Sequence, residues 1–117
     1  MDNILATEIA TYLEIAMNQD EEYAAIVANI DWQDPVKYVE PLRKLTRLNH
    51  RESMNTLAVV LGDVDSAEHR DEIIALYTEA HRLGSPVAAE GMSIQYAQWG
   101  DAKLSDHWKK LSKERSG

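Results

Sequence analysis

A helix-pair pattern written twice within residues 41–100 constrains the fold of this chain more than any other feature. Pro41-Leu42-Arg43-Lys44 through Leu48-Asn49 lies over Leu76-Tyr77-Thr78-Glu79 through Leu83-Gly84 at a constant offset of 35. The same offset carries Met54 onto Ala89 and Leu57 onto Met92. Each copy then runs through a second apolar periodic segment to a Gly-Asp pair, Gly62-Asp63 and Gly100-Asp101, at an offset of 38. The later copy should therefore hold about one helical turn more. A period in the mid-thirties with helical spacing marks stacked helix pairs, each burying its apolar face on its neighbour. The expected fold is all-α: antiparallel helix pairs stacked as a short repeat array of about six or seven helices.

Charge divides the chain. Residues 1–36 hold eight acids and no Lys or Arg, while the remainder holds twelve of each sign, so the formal net charge of −8 sits in the first third. Residues 1–36 are read as an acidic N-terminal helical cap and 37–117 as the repeat-like pairs, in one domain of 117 residues. An acidic field repels nucleic acid and draws in basic surfaces, unless it is only a solvated face that keeps the chain soluble. Cysteine is absent, which removes disulfides, thiol catalysis and thiolate metal sites. No apolar run approaches the roughly 18 residues of a membrane span, and no leader pattern opens the sequence, so a cytoplasmic protein without membrane contact is expected.

Local signals fill in the elements. Asp2 can cap a helix over residues 3–18 whose polar residues Thr7, Thr11, Glu14 and Asn18 form one narrow stripe. Its wide apolar face is expected to be sandwiched inside the monomer, the alternative being a patch offered to a partner. Asp20-Glu21-Glu22 reads as the start of a second helix that buries Tyr23, Ile26, Val27 and Ile30. Trp32 then stands in a turn, where it closes the end of the core or serves as a binding anchor. Asp34-Pro35 is a helix start, and Pro41 calls for a kink or a separate short turn before the helix carrying Leu42, Leu45 and Leu48.

Asn49 with Glu52 has the spacing of a capping box for the helix that buries Met54, Leu57, Ala58 and Leu61, and Gly62 suits its left-handed stop. Asp65 with Glu68 has the same box spacing before the helix of Ile73, Leu76, Tyr77, Ala80 and Leu83, which Gly84 ends. Ser85-Pro86 restarts the chain, and Gly100-Asp101 caps a last helix in which Leu104, Trp108 and Leu111 face inward. Basic Lys37, Arg43, Lys44 and Arg47 are expected to answer the acids of the first third.

Reactive constellations are missing. The acids of Asp63 to Glu68 lack the glycine and the closing acid of a calcium loop, so no metal is expected. His50, His69, His81 and His107 share no zinc-helix spacing and read as surface or capping residues. Gly91-Met92-Ser93 lacks the second glycine and the setting of a nucleophile elbow, and no phosphate loop or dinucleotide fingerprint occurs. Neither an enzyme nor a cofactor is expected.

Val39-Glu40-Pro41-Leu42-Arg43-Lys44-Leu45 with Leu48 to Ala58, and more closely Leu76 to Gly84 followed by Tyr96 and Gly100, resemble the SEL-like subfamily of tetratricopeptide repeats. A shortened third copy would end at Trp108-Lys109-Lys110-Leu111. Asn49 replaces the first glycine, Ala58 and Ser93 stand where a glycine is usual, and Trp99 intrudes before Gly100. The resemblance implies a protein-binding scaffold with no catalytic residues to carry over.

Resemblance and acidity together suggest a small bacterial adaptor, or an immunity-type or antitoxin-type inhibitor, that masks a basic partner protein. Glu8, Glu14, Asp20, Glu21, Glu22 and Asp31 are its expected contact residues. Two rival readings are a helix-turn-helix DNA binder, which the charge disfavours, and an accessory subunit or homodimer that buries the wide face of the first helix.

Overall fold

A computed structural model describes residues 2–116, apart from the side chains at 2–5, 12, 15–17 and 115–116. The elements are α1 (Asp2–Ala28), a 3-10 turn (Pro35–Tyr38), α2 (Val39–Arg47), α3 (Arg51–Asp65), α4 (Arg70–Arg82), α5 (Ala88–Gln98) and α6 (Ala102–Ser116). Among the described residues there is no strand, and the fold is all-α. Each helix from α2 onward packs on the next in sequence, α2 on α3 through α5 on α6, as short links between consecutive helices favour.

The offset of 35 is written into the burial of these helices. The buried residues of α3 are Ser53, Met54, Leu57, Ala58, Val60 and Leu61, and those of α5 are Ala88, Ala89, Met92, Ser93, Gln95 and Tyr96, each 35 further on. Leu42 and Leu45 of α2 likewise answer Tyr77 and Ala80 of α4. Leu42, Met54, Leu57, Ala58, Val60, Leu61, Tyr77, Ala80, Ala88, Met92 and Tyr96 among them, with Ile73, form one core between α2 and α5. Burying a Leu or Met side chain stabilises by about 1.5–3 kcal/mol, so the repeated register supplies much of the driving force for stacking.

The links repeat as well. Asn49, Gly84 and Gly100 take positive φ values of 62°, 94° and 84°. At each, two backbone bonds close the preceding helix: His50 N–H to Leu45 O at 3.1 Å and Asn49 N–H to Thr46 O at 3.0 Å after α2. Ser85 to Ala80 with Gly84 to His81, and Asp101 to Tyr96 with Gly100 to Ala97, do the same after α4 and α5. This is the paired closure that satisfies orphan carbonyls at a helix end, and it needs a residue that tolerates the left-handed region. Asn49 meets that need where the second copy has glycine.

Several local expectations are corrected. Gly62 does not stop α3, which runs on to Asp65, so the Gly-Asp pairs are not counterparts, and the longer helix belongs to the earlier copy, 15 residues in α3 against 11 in α5. Space explains this glycine: a β-carbon there would lie 3.1 Å from Gln95 Oε1 of α5. The cap of α3 is His50, not Asn49; its Nδ1 accepts from the Ser53 amide at 3.3 Å and lies 2.7 Å from Ser53 Oγ. Asp65 does accept from the Glu68 amide at 3.0 Å, but α4 begins later, at Arg70, with His69 at its cap position. Ser85 Oγ accepts from the Val87 and Ala88 amides and Asp101 Oδ1 from that of Leu104, as expected of caps. Leu48 and Leu104 are exposed rather than inward-facing.

Pro41 is the third residue of α2, where its missing N–H costs nothing. Ahead of it the chain forms the separate 3-10 turn, so turn and α2 together replace the single helix α4 of the second copy. Arg43 of α2 grips Glu72 of α4 with Nε and Nη2 at 3.0 and 2.8 Å and also pairs with Glu40. Its hydrogen bonds to Glu72 are the main reason its already high pKa is raised further.

The largest departure concerns the first third. The two expected helices are one, α1, 27 residues and about 40 Å long. Its later part lies on the body: Tyr23 Oη bonds Thr56 Oγ1 at 2.7 Å, Lys44 Nζ lies 3.3 Å from Glu22, and Asp20 Oδ1 lies 2.7 Å from His50 Nε2. Acids that suggested a helix start are thus held at mid-helix by partners on the body. Every described side chain from Ala6 to Asn18 is exposed, including Ile9 at 53% and Leu13 at 54%, so the described part of this face is not sandwiched; the side chains at 4, 5, 12 and 15–17 lie outside the described ones.

Candidate functional site

A groove of about 560 Å³ runs between α3 and α5 over α4. Tyr77 and Gly91 lie in it, and Val59, Ile94 and Trp32 stand beside it half exposed, at 49%, 53% and 50%. Val59 and Ile94 are separated by 35, so the two copies present the same apolar position along one face. Trp32 and Val59 also border a smaller hollow of about 290 Å³ that continues to Val27 and Ile30 at the end of α1. The result is an apolar surface shared by two helices and one loop, with Asp63, Gln95 and Gln98 as its polar members.

Backbone geometry makes the Trp32 loop a firm support. Tyr38 Oη accepts from the Asp31 amide at 3.0 Å and donates to Asn29 O at 2.6 Å, tying both ends of the loop to the 3-10 turn. Asp31 Oδ1 accepts from the Gln33 amide at 3.0 Å, and Asp31 O accepts from the Asp34 amide at 3.0 Å. An aromatic held this way loses little conformational freedom when a partner covers it. Of the two sequence readings of Trp32, closure of the core is not what the structure shows, because half of the residue faces solvent.

Tyr77 gives the groove its depth. Its ring fits only because residue 91 lacks a side chain: a β-carbon there would lie 2.6 Å from Tyr77 Cε1. Burial pushes the phenol up to about 12, so it is neutral at ordinary pH. At the far end of α5, Trp99 stacks under Arg70 with the guanidinium carbon 4.3 Å from the ring centroid, and its Nε1 donates to Ser66 Oγ at 3.3 Å. Trp99 thus pins the end of α5 to the α3–α4 link.

The six acids expected to form the contact surface do not converge. At 100° per residue Glu14 and Glu21 fall within about 20° of each other on one side of α1, Glu8 and Glu22 within about 40° on another, and Asp20 lies apart from both pairs. Glu8, Glu14 and Glu21 are exposed, whereas Asp20 and Glu22 are engaged with His50 and Lys44. Only Asp31 adjoins the groove, through its neighbour Trp32. Val59 and Ile94 were missed because each lies off the buried stripe of its helix, yet their shared register was there to be read. Among the described residues no three of His, Asp or Glu gather as metal ligands, and no helix is long and apolar enough to cross a membrane. No protein-family model, curated protein or solved structure matches the chain.

Proposed function

We propose that this chain is a protein-binding helical-repeat module whose α3–α5 groove receives an apolar segment of a partner with a basic surface. The observation that carries this reading is Trp32, held half exposed by its own loop beside Val59 and Ile94. Solvent-facing aromatics with aliphatic neighbours are the usual centres of binding energy at protein interfaces. The acids of the first third, Glu8, Glu14 and Glu21 foremost, add a long-range field that speeds encounter with a basic protein more than it tightens the complex. A small adaptor or an immunity-type or antitoxin-type inhibitor fits this combination. A SEL-like repeat ancestry accords with the repeated burial pattern and the repeated helix closures.

The test is capture of a partner from native lysate by the wild-type chain and by a Trp32→Ala, Val59→Lys variant, at low and moderate salt. A basic protein retained by the first and lost by the second, with affinity reduced about 30-fold or more, is the expected result. Equal retention by both chains would remove the groove from the reading. Duplex DNA binding that falls steeply with salt would replace it with the DNA-binding alternative.

A further inference from the structure

The stack stops in the middle of a pair. α2 is covered by α3 and α4 by α5, but among the described residues no helix covers α6 in the same way. A hollow of about 460 Å³ lies at that place between α5 and α6. Its lining residues Ile94, Ala97 and Ser112 stand 35 beyond Val59, Gly62 and Tyr77, all of which line the α3–α5 groove. The hollow is therefore the groove repeated one unit later, without the wall that α5 gives the first. Its rim is more highly charged and carries both signs, Glu90 and Asp106 beside Lys109 and Lys113. α6 as a whole carries five bases, Lys103, Lys109, Lys110, Lys113 and Arg115, against Asp106 and Glu114.

The other end of the molecule has the complementary defect, a helix without a seat. Ile9 and Leu13 are exposed on α1, and Ile9 lies five whole turns before Val27, on the side of the helix that meets the body. Between residues 3 and 18 the only charges are Glu8 and Glu14, both exposed. Seventeen residues, 2–18, span about 25 Å, and the 15 residues of α6 about 22 Å.

We propose that the free half of α1 from a second copy lies over α6 and supplies the missing wall, each copy giving its arm to the other in a closed dimer. Length and net charge match the arm, with Glu8 and Glu14, to α6, with its five bases against two acids, and the exchange covers both uncovered surfaces at once. A single free helix of this length is marginal in water, so a seat for it stabilises the helix as well. This inference shares Ile94 with the groove at Trp32 but uses neither Trp32 nor Val59, and its test reads self-association rather than partner capture.

Sedimentation equilibrium of the full chain tests it. The wild type should have the mass of a dimer. Reversal of the arm (Glu8→Lys with Glu14→Lys) or of the seat (Lys109→Glu with Lys113→Glu) should each weaken the dimer about tenfold or more. Both reversals together should restore wild-type association, a rescue that general changes in net charge or helix content do not give. Circular dichroism of the single reversals should lose at most the helix signal of the freed arm and keep that of the body, since all four side chains are exposed, and the double reversal should recover the whole. A monomer up to about 1 mM, a dimer indifferent to both reversals, or a double reversal no tighter than either single one would overturn the proposal.

Discussion

Tyr77 and Gly91 are fitted to each other across α4 and α5: a β-carbon on the glycine would stand 2.6 Å from Cε1 of the ring and 2.9 Å from Cζ. In the first copy the same two positions hold Leu42 and Thr56, a smaller side chain facing a larger one. Gly91→Ala gains about 1 kcal/mol of helix propensity but forces the ring to shift, at a cost of about 1–3 kcal/mol. Net destabilisation on the order of 1 kcal/mol is expected in urea unfolding, and Tyr77→Leu should relieve it. A Gly91→Ala protein more stable than wild type would show that the ring moves freely.

Tyr77 also sets an alkaline limit. Its phenol titrates near 12 in the fold, against about 10 when unfolded, because burial disfavours the phenolate. The fold holds the neutral form, so this contribution is complete below pH 10 and is lost as pH rises towards 12. About 2–3 kcal/mol of stability should disappear across that window. Unfolding free energies measured from about pH 9 to 12 should fall less for Tyr77→Phe than for wild type. Parallel curves would sink the assignment.

Asn49 carries the backbone strain of its link at φ 62°. Glycine there should stabilise by about 0.5–1 kcal/mol, and alanine should destabilise by about 1 kcal/mol. Gly84→Ala, at the counterpart position, should cost at least as much. Chemical denaturation of the three variants checks the order, and an Asn49→Gly protein no more stable than wild type would contradict it.

His50 joins α3 to α1: it caps α3 through Ser53, holds Asp20 of α1 at 2.7 Å and packs against Tyr23 of α1 with ring centroids 5.0 Å apart. His50→Ala should cost about 1–2 kcal/mol from the cap alone. Amide hydrogen exchange around residues 20–23 should quicken with it, because α1 loses an anchor. Unaltered exchange there would mean that Tyr23 and Ile26 hold the helix by themselves.

Leu57 and Met92 are wholly buried at the same register of α3 and α5. Truncation of either to alanine should cost about 2–5 kcal/mol in thermal or urea unfolding. Values below about 1 kcal/mol would place them outside the cooperative core.

The repeat register was legible because burial in a helix follows side-chain spacing, and Leu57 with Met92 or Leu42 with Tyr77 obey it in both copies. The links after α4 and α5 were legible for a different reason: glycine sits easily in the left-handed closure, and Gly84 and Gly100 stand where it occurs, whereas Asn49, read as a capping-box residue, makes the same closure after α2. Gly62 misled because a glycine kept for close approach to Gln95 looks in sequence like one kept for a turn. Asp20 misled because its partner His50 is 30 residues away, and local rules place such acids at a helix start. The groove was hidden by the same locality. Val59, Ile94 and Trp32 come together only after the helices stack.

The shared closure of α2, α4 and α5 makes the number of helix pairs a quantity the chain can change without redesign. A segment of 35 residues cut between one link and the next begins and ends in the same backbone geometry, so a duplicated copy would rejoin its neighbours without strain. Growth by such copying would extend the apolar face by one more residue at the position of Val59 and Ile94. The length of that face is thus set in whole units of the 35-residue offset.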